Sequence, residues 1–339
     1  MKRLNVKEAV ERALAEKDVF HTGDITEMTC LSRQAVQPRL RELVRKGELA
    51  VVGQGRTAGY RSTGKVTLFE SSYRREGLEE DAVWREMRQR LELLLDAESE
   101  RQLQYALTEL VNNAIDHSDA SRIEVSCWKR SPSSLAMCIA DDGVGIFQRI
   151  RAWFSLEDFP HALQELSKGK LTTQPERHSG EGIFFTSKLA DRFELESADL
   201  CWSVDNRRAD MTVLVNQPER QGTRVVFEVS LPPARRLEEI FARYTSDFRF
   251  NKTRTVVKLF QIGTAFVSRS EARRLLHGLE RFDEVTLDFK GVETVGQGFV
   301  DEVFRVFARA HPDVRLIPEN MSPSVEFMVK RGLPGKLPG

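Results

Sequence analysis

Apolar residues recur along this chain with two periods, and the places where one period gives way to the other mark its divisions. Near the start, Val6, Ala9, Val10, Ala13 and Leu14 fall three and four apart, the stripe of an amphipathic helix. Phe20-His21-Thr22-Gly23 breaks it, and Asp24-Ile25-Thr26 opens a short second helix ending near Cys30. Ser32 is a helix-capping residue for a third helix, with Leu40, Leu43 and Val44 facing a core and Arg33, Gln34, Gln37, Arg39 and Arg41 on its polar side. Gly47 ends it. Residues 49–52 read as a strand that turns through Gly53-Gln54-Gly55-Arg56 into Gly59-Tyr60-Arg61. Pro38, about six positions into the third helix, lacks a backbone donor and is expected to kink or delay it.

Residues 62–85, with Ser71-Ser72-Tyr73-Arg74-Arg75-Glu76, read as a linker or extended arm. Trp84, Met87, Leu91 and Leu93-Leu94-Leu95 predict a helix, and whether it packs beside a sheet or holds a dimer interface stays open. Tyr105–Thr108, Leu110-Val111 and Ala114-Ile115 predict another helix, and Ser134–Ala140 a buried strand ending in Asp141-Asp142-Gly143-Val144-Gly145-Ile146. Phe147, Ile150, Trp153 and Phe154 are amphipathic, whereas residues 171–177 are polar and turn-rich, as in a segment that closes over a ligand. His178-Ser179-Gly180-Glu181-Gly182-Ile183 leads into a helix through Leu189, and Gln221-Gly222-Thr223 precedes an alternating strand from Arg224 to Leu231.

After Pro232-Pro233 comes an amphipathic connector, 237–244. Val256–Phe260 then reads as a strand, and Ser268 with Glu271 caps a helix through Leu279. A strand at 285–289, a helix around Val300–Phe307, a strand at 314–317 and a helix at 324–331 follow. This alternation predicts a small α/β layer domain.

The 339 residues suffice for two or three domains. Net charge is zero, yet residues 1–65 carry 13 basic and 8 acidic side chains, net +5, against −8 for residues 66–250 and +3 for 251–339. The basic first segment suits an anionic partner, although a solvated surface explains a charge of that size equally well. No apolar run of eighteen residues and no secretory leader pattern occurs, so the expectation is a cytoplasmic protein without a membrane span. Cys30, Cys127, Cys138 and Cys201 lack metal-binding spacing and read as reduced thiols.

The chemistry concentrates in four short stretches. Glu109 and Asn113 lie one helical turn apart on an otherwise apolar helix, an arrangement that is costly unless something pairs with them. In order along the chain come Glu109–Ser118, Asp141-x-Gly143-x-Gly145, Gly180-x-Gly182 and Gly222-Thr223. This ordered set resembles the GHKL superfamily of ATP-binding domains, which histidine kinases, anti-sigma-factor kinases and gyrase-type topoisomerases share. The resemblance covers about residues 85–232. It implies that Glu109 orients water as general base, that Asn113 holds Mg²⁺ bridging the ATP phosphates, and that Asp141 accepts the adenine amino group. Gly143 and Gly145 would let the backbone approach the base, Gly180 and Gly182 would form the phosphate loop, and Thr223 would add a hydroxyl near the adenine end. Asp116 and His117 also match the first motif. Arg177 and His178 suit either phosphate contact or an exposed loop.

Residues 1–61 resemble the winged helix-turn-helix of bacterial transcription regulators. DNA binding would then fall to Arg33, Gln34, Gln37 and Arg39 on the third helix and to Arg56 and Arg61 on the wing, with protein contact or dimerisation as the alternative. The last domain, with Leu287-Asp288-Phe289-Lys290-Gly291-Val292 and Phe299-Val300-Asp301-Glu302, looks like a STAS-type domain, the fold of anti-sigma-factor antagonists, which implies a protein partner. Antagonists of this type are phosphorylated on a serine at a helix start, where this chain has Gly296-Gln297-Gly298 and no hydroxyl. Asp288 and Asp301 are expected to cap turns and helix starts. The expected architecture is therefore multidomain: a winged helix (1–65), a linker or arm (66–85), an α+β GHKL sandwich (86–232), a connector (233–252) and an α/β STAS-like domain (253–333). The functions left open are an ATP-responsive regulator of DNA or partner binding, a protein serine/threonine kinase acting on a separate protein, and a scaffold that uses ATP structurally; homodimerisation is also open.

Overall fold

The structure, a computed structural model, describes residues 4–17, 19–53, 55, 58–92, 94–131, 133–170, 180–246, 249–256, 265–266 and 268–332. The chain divides into two compact bodies, residues 1–70 with 126–136, and residues 71–125 with 137–339. In the first, α1 (Val6–Glu16) starts at a reciprocal cap between Asn5 and Glu8, α2 (Thr22–Thr29) stops at Cys30 in the left-handed region, and α3 (Arg33–Arg45) is capped by Ser32. Strands β1 (Leu49–Val52) and β2 (Gly59–Ser62) form an antiparallel hairpin. Val6, Val10, Phe20, Ile25, Val36 and Leu40 meet in its core. Phe20 does more than break a helix: its backbone exchanges hydrogen bonds with Tyr60 (2.9 and 2.7 Å), and the two rings stack at 5.6 Å. Pro38 is accommodated inside α3.

The expected linker is instead structural. Residues 66–85 contain β3 (Val66–Arg74), the edge strand of a five-stranded sheet, and the start of α4 (Glu80–Leu91), whose Val83, Trp84, Met87 and Leu91 are buried. Polar and apolar residues alternate only loosely along β3, as expected for an edge, and this hid the strand from a periodicity reading. Helix α5 (Ala97–His117) follows, then β4 (Arg122–Ser131), β5 (Ser134–Asp141), α6 (Ile146–Trp153), α7 (Phe159–Lys168), α8 (Gly182–Leu189), β6 (Arg192–Asp205) and β7 (Asp210–Ser230). The sheet order is β3-β4-β5-β7-β6. Central β5 is buried at every residue, so it reads as a continuous apolar run. Asp191, 2% exposed, locks the corner before β6: it accepts from Arg207 (2.8 Å), Arg235 (3.2 Å) and the Ser230 N–H (2.7 Å).

Helix α9 (Leu237–Tyr244) leads to a short pairing of β8 (Thr245–Ser246) with β9 (Arg249–Phe250). The last domain contains β10 (Lys252–Val256), β11 (Ala265–Phe266), α10 (Arg269–Leu276), β12 (Glu284–Asp288), β13 (Thr294–Val295), α11 (Gln297–Asp301), a π-helical turn (Glu302–Phe307), α12 (Ala308–Ala310), β14 (Arg315–Glu319) and α13 (Pro323–Gly332). Strands β10, β12 and β14 form a parallel sheet with β12 central, and β11 pairs with β13. The first strand begins at Lys252, four residues before the sequence expectation, and Val257–Phe260 lie outside the described residues. Helix α10 carries the expected Ser268–Glu271 cap but ends at Leu276, because Gly278 takes a left-handed conformation (φ 76°). Among the described residues, no helix is long and apolar enough to cross a membrane.

Candidate functional site

Helix α5 begins where Asp96 accepts from the N–H groups of Glu98 and Ser99, both at 2.9 Å. It buries Leu103, Ala106, Leu107, Leu110 and Val111 and keeps one polar stripe. Glu109, Asn112, Asn113 and His117 of that stripe line a cavity of about 290 Å³. Asp116 is half-buried and does not line it.

At the end of β5, Asp141 forms part of the cavity wall and is 8% exposed. Burial pushes its pKa up, while N–H groups of Gly143 (2.9 Å) and Thr223 (3.3 Å) donate to Oδ1 and oppose the rise. The neighbouring Asp142 serves the fold instead. It accepts from the Ser121 hydroxyl (2.6 Å) and from the N–H groups of Arg122 and Ser121, which hold its pKa down and tie β5 to the start of β4. The Thr223 hydroxyl accepts from the Ile146 N–H (3.0 Å) and thereby seats α6 against β7.

The glycines next to Asp141 serve the protein's own packing. A Cβ on Gly143 would lie 2.1 Å from the carbonyl oxygen of Ser118, and one on Gly145 would lie 2.6 Å from Ser197 Oγ. Neither glycine lines the cavity, and both lie in close contact within the fold. Gly222 is equally tight, its missing Cβ falling 2.0 Å from the Asp141 carbonyl oxygen.

Across the cavity, Gly180, Glu181 and Gly182 lead into α8. A Cβ on Gly182 would lie 2.2 Å from Glu109 Oε2, so two motifs separated by some seventy residues meet with no space between them. Arg177 and His178 lie outside the described residues. Sequence reasoning missed Arg149 and Leu166, which also line the cavity. Arg149 sits one turn into α6, whose amphipathic pattern was legible, and its NH2 pairs with Asp119. Leu166 belongs to α7, a helix the polar character of the following segment obscured.

Two buried donors in this wall, Asn113 Nδ2 and Arg149 Nε, have no hydrogen-bond acceptor among the described residues. Such groups cost free energy unless a ligand satisfies them, and phosphate oxygens are suitable acceptors. The residues present therefore fit a nucleotide polyphosphate.

Of the residues assigned to DNA, Arg33, Gln34, Gln37 and Arg39 are exposed on α3 and Arg61 is exposed on β2, while Arg56 lies outside the described residues. At 100° per residue, Gln34, Arg41 and Arg45 point away from Val36 and Leu40, whereas Arg39 turns to one flank. There it borders a groove with Glu42, Lys46 and Glu70, in which Lys46 pairs with Glu70 at 2.5 Å. In the last domain, Asp288 Oδ1 accepts from the Lys290 N–H (3.0 Å) and Asn320 Nδ2 (2.8 Å), and Asp301 pairs with Arg305 and Arg269.

Residues 66–205 match the family model of the histidine kinase-like ATPase domain, and residues 271–326 match that of a STAS-like domain of unknown function. No curated protein matches the chain. The chain thus contains a GHKL-type ATPase domain followed by a STAS-like domain. The first match ends before Gly222 and Thr223, which the fold nevertheless brings to Asp141.

Proposed function

We propose that this protein is an ATP-binding regulator, in which occupancy of the cavity by magnesium ATP controls DNA binding by residues 1–65 and protein contacts of the STAS-like domain. The observation that carries the nucleotide half is the buried Asp141, its Oδ1 held by two backbone donors, facing one cavity with Glu109, Asn113 and Gly182. Asp141 would accept the exocyclic amino group of the purine. Asn113 would hold the magnesium ion through its amide oxygen. Bound magnesium would neutralise phosphate charge, and Glu109 would orient a water for slow hydrolysis.

The DNA half is supported by the net +5 of residues 1–65 and by the outward Gln and Arg side chains of α3. A second reading, transfer of the γ-phosphate to a separate protein, is favoured by Glu109 lying against Gly182. The chain's own α11 starts at Gly296-Gln297-Gly298 without a hydroxyl to receive it. Calorimetric titration with magnesium and a non-hydrolysable ATP analogue tests the first reading, and no uptake at millimolar nucleotide refutes it. Labelled γ-phosphate appearing on an added STAS protein would select the second.

A further inference from the structure

One wall of the cavity is also a docking surface for the STAS-like domain. Helix α7 ends at Lys168, two residues after the cavity-lining Leu166. Lys168 is 2% exposed, which is unusual for a lysine. Its Nζ donates to Glu165 Oε1 (2.6 Å) and to the carbonyl oxygen of His277, at the end of α10 (2.7 Å). Its own carbonyl accepts from Thr253 Oγ1 on β10 (2.6 Å). His277 Nδ1 lies 3.2 Å from Glu165 Oε2. Lys170 Nζ donates to the Arg281 carbonyl (2.8 Å) and sits 4.6 Å from the centre of the Phe282 ring. A buried ion pair adds little net stability, but it penalises any arrangement that leaves one member unpaired.

The second contact reaches α8, which starts at the Gly180–Gly182 loop. Phe250 lies 4.7 Å from Phe184, 5.0 Å from Phe185 and 5.4 Å from Phe282, ring centre to ring centre. A Cβ on Gly169 would fall 2.7 Å from the Phe250 ring, so the chain leaving α7 is pressed on the same cluster. The STAS-like domain therefore grips α7, and Phe250, at the end of the connector and packed on Phe282 of that domain, carries the contact on to α8; Leu166 of α7 and Ile183 of α8 both line the cavity.

We infer that the docked STAS-like domain is a clamp on the nucleotide site: through Lys168, Thr253 and the Phe250 cluster it sets the spacing of α7 and the Gly180–Gly182 loop, so that a bound triphosphate and the docked arrangement stabilise each other. This deepens the nucleotide reading and rests on it. The coupling is reciprocal, so loosening the clamp weakens nucleotide binding, and nucleotide tightens the clamp.

The test uses the full chain with magnesium and a non-hydrolysable ATP analogue, combining calorimetry with amide hydrogen exchange. The analogue should slow exchange at 249–256 and 277–282. Thr253→Val, which exchanges the hydroxyl for a methyl of similar size, and Lys168→Met should each lower analogue affinity three- to tenfold, while Phe327→Ser, at an exposed position of α13, leaves it unchanged. Where Lys168→Met fails to fold, Thr253→Val carries the measurement. Analogue that binds the wild type yet leaves exchange at both segments unaltered overturns the clamp alone, as does wild-type affinity in Thr253→Val. Absence of binding in the wild type removes the nucleotide reading and the clamp together.

Discussion

Asp141 ends a core strand and also presents a carboxylate to a cavity, and its surroundings explain how it does both. Two backbone N–H groups satisfy Oδ1 and leave the rest of the carboxylate for a ligand, while burial raises its pKa. Asp141→Asn keeps the volume but removes the charge, and it should weaken ATP binding about ten- to a hundredfold, the cost of one charge-assisted hydrogen bond of about 1.5–3 kcal/mol. Calorimetry reads this directly, and unchanged affinity would remove Asp141 from the site. Gly182 offers a different probe. Gly182→Ala puts a methyl group against Glu109 Oε2, so the flexible carboxylate must swing aside. Thermal stability should be nearly kept while ATP turnover falls about tenfold or more, toward the level of Glu109→Gln. Turnover equal to wild type would show that the position of Glu109 is irrelevant to hydrolysis.

Between elements, carboxylates do the pinning. Glu98 at the start of α5 is partly desolvated, yet it accepts from Arg101, Gln102 and the Leu237 N–H that opens α9, and its pKa is held down at about 2. The Asp191 carboxyl is desolvated too, but Arg207 and Ser230 hold its pKa below the usual carboxylate range. Both groups take up protons more readily in the unfolded chain, so their stabilisation is present above about pH 4.3, the ordinary carboxylate range, and is lost as pH falls toward 2. Urea midpoints should drop across that window, and Glu98→Gln should flatten the fall; a slope identical to wild type would exclude Glu98. At neutral pH Asp191→Ala should cost on the order of 3 kcal/mol, because it removes the buried acceptor that Arg207, Arg235 and the Ser230 N–H share at that corner. The contacts of Glu98 with Arg101 and Gln102 follow helical spacing, but those that join elements, Glu98 with Leu237 and Asp191 with Ser230 and Arg235, were not legible, since each spans 39 positions or more. What could be read were the elements with strong local signals: the Ser32 cap, the apolar run of β5, the Ser268–Glu271 box and the Glu109–Asn113 spacing. Edge strand β3 escaped because its alternation is loose, and helix α7, although Phe159, Ala162, Leu163 and Leu166 fall three and four apart, because it runs into a polar, turn-rich stretch of sequence. The cavity's polar residues were largely legible for the same local reasons, whereas Arg149 and Leu166 reach it only through the packing of α6 and α7.

At the scale of the molecule, the uneven charge gives the proposed regulator a measurable handle. A basic segment that binds DNA releases counterions, so the logarithm of affinity falls linearly with the logarithm of salt, by roughly 0.9 per phosphate neutralised. Arg41 points away from the α3 core, whereas Arg39 borders the groove that holds the Lys46–Glu70 pair. Arg41→Ala should therefore reduce the salt slope by about one unit and weaken binding on every sequence, and Arg39→Ala should do so less. Nucleotide control adds a stricter demand. ATP alters DNA affinity only if it binds one state of the protein better than the other, and tight binding alone shifts nothing. A tenfold difference in DNA affinity between the ATP-analogue and nucleotide-free forms would require about 1.4 kcal/mol of such preference, and Asp141→Asn should abolish it while leaving nucleotide-free DNA binding intact. Fluorescence anisotropy on genomic fragments with no nucleotide, ADP and the analogue measures all three. Equal affinities would detach DNA binding from the nucleotide site, and a salt-independent curve would rule out the basic segment as a DNA reader.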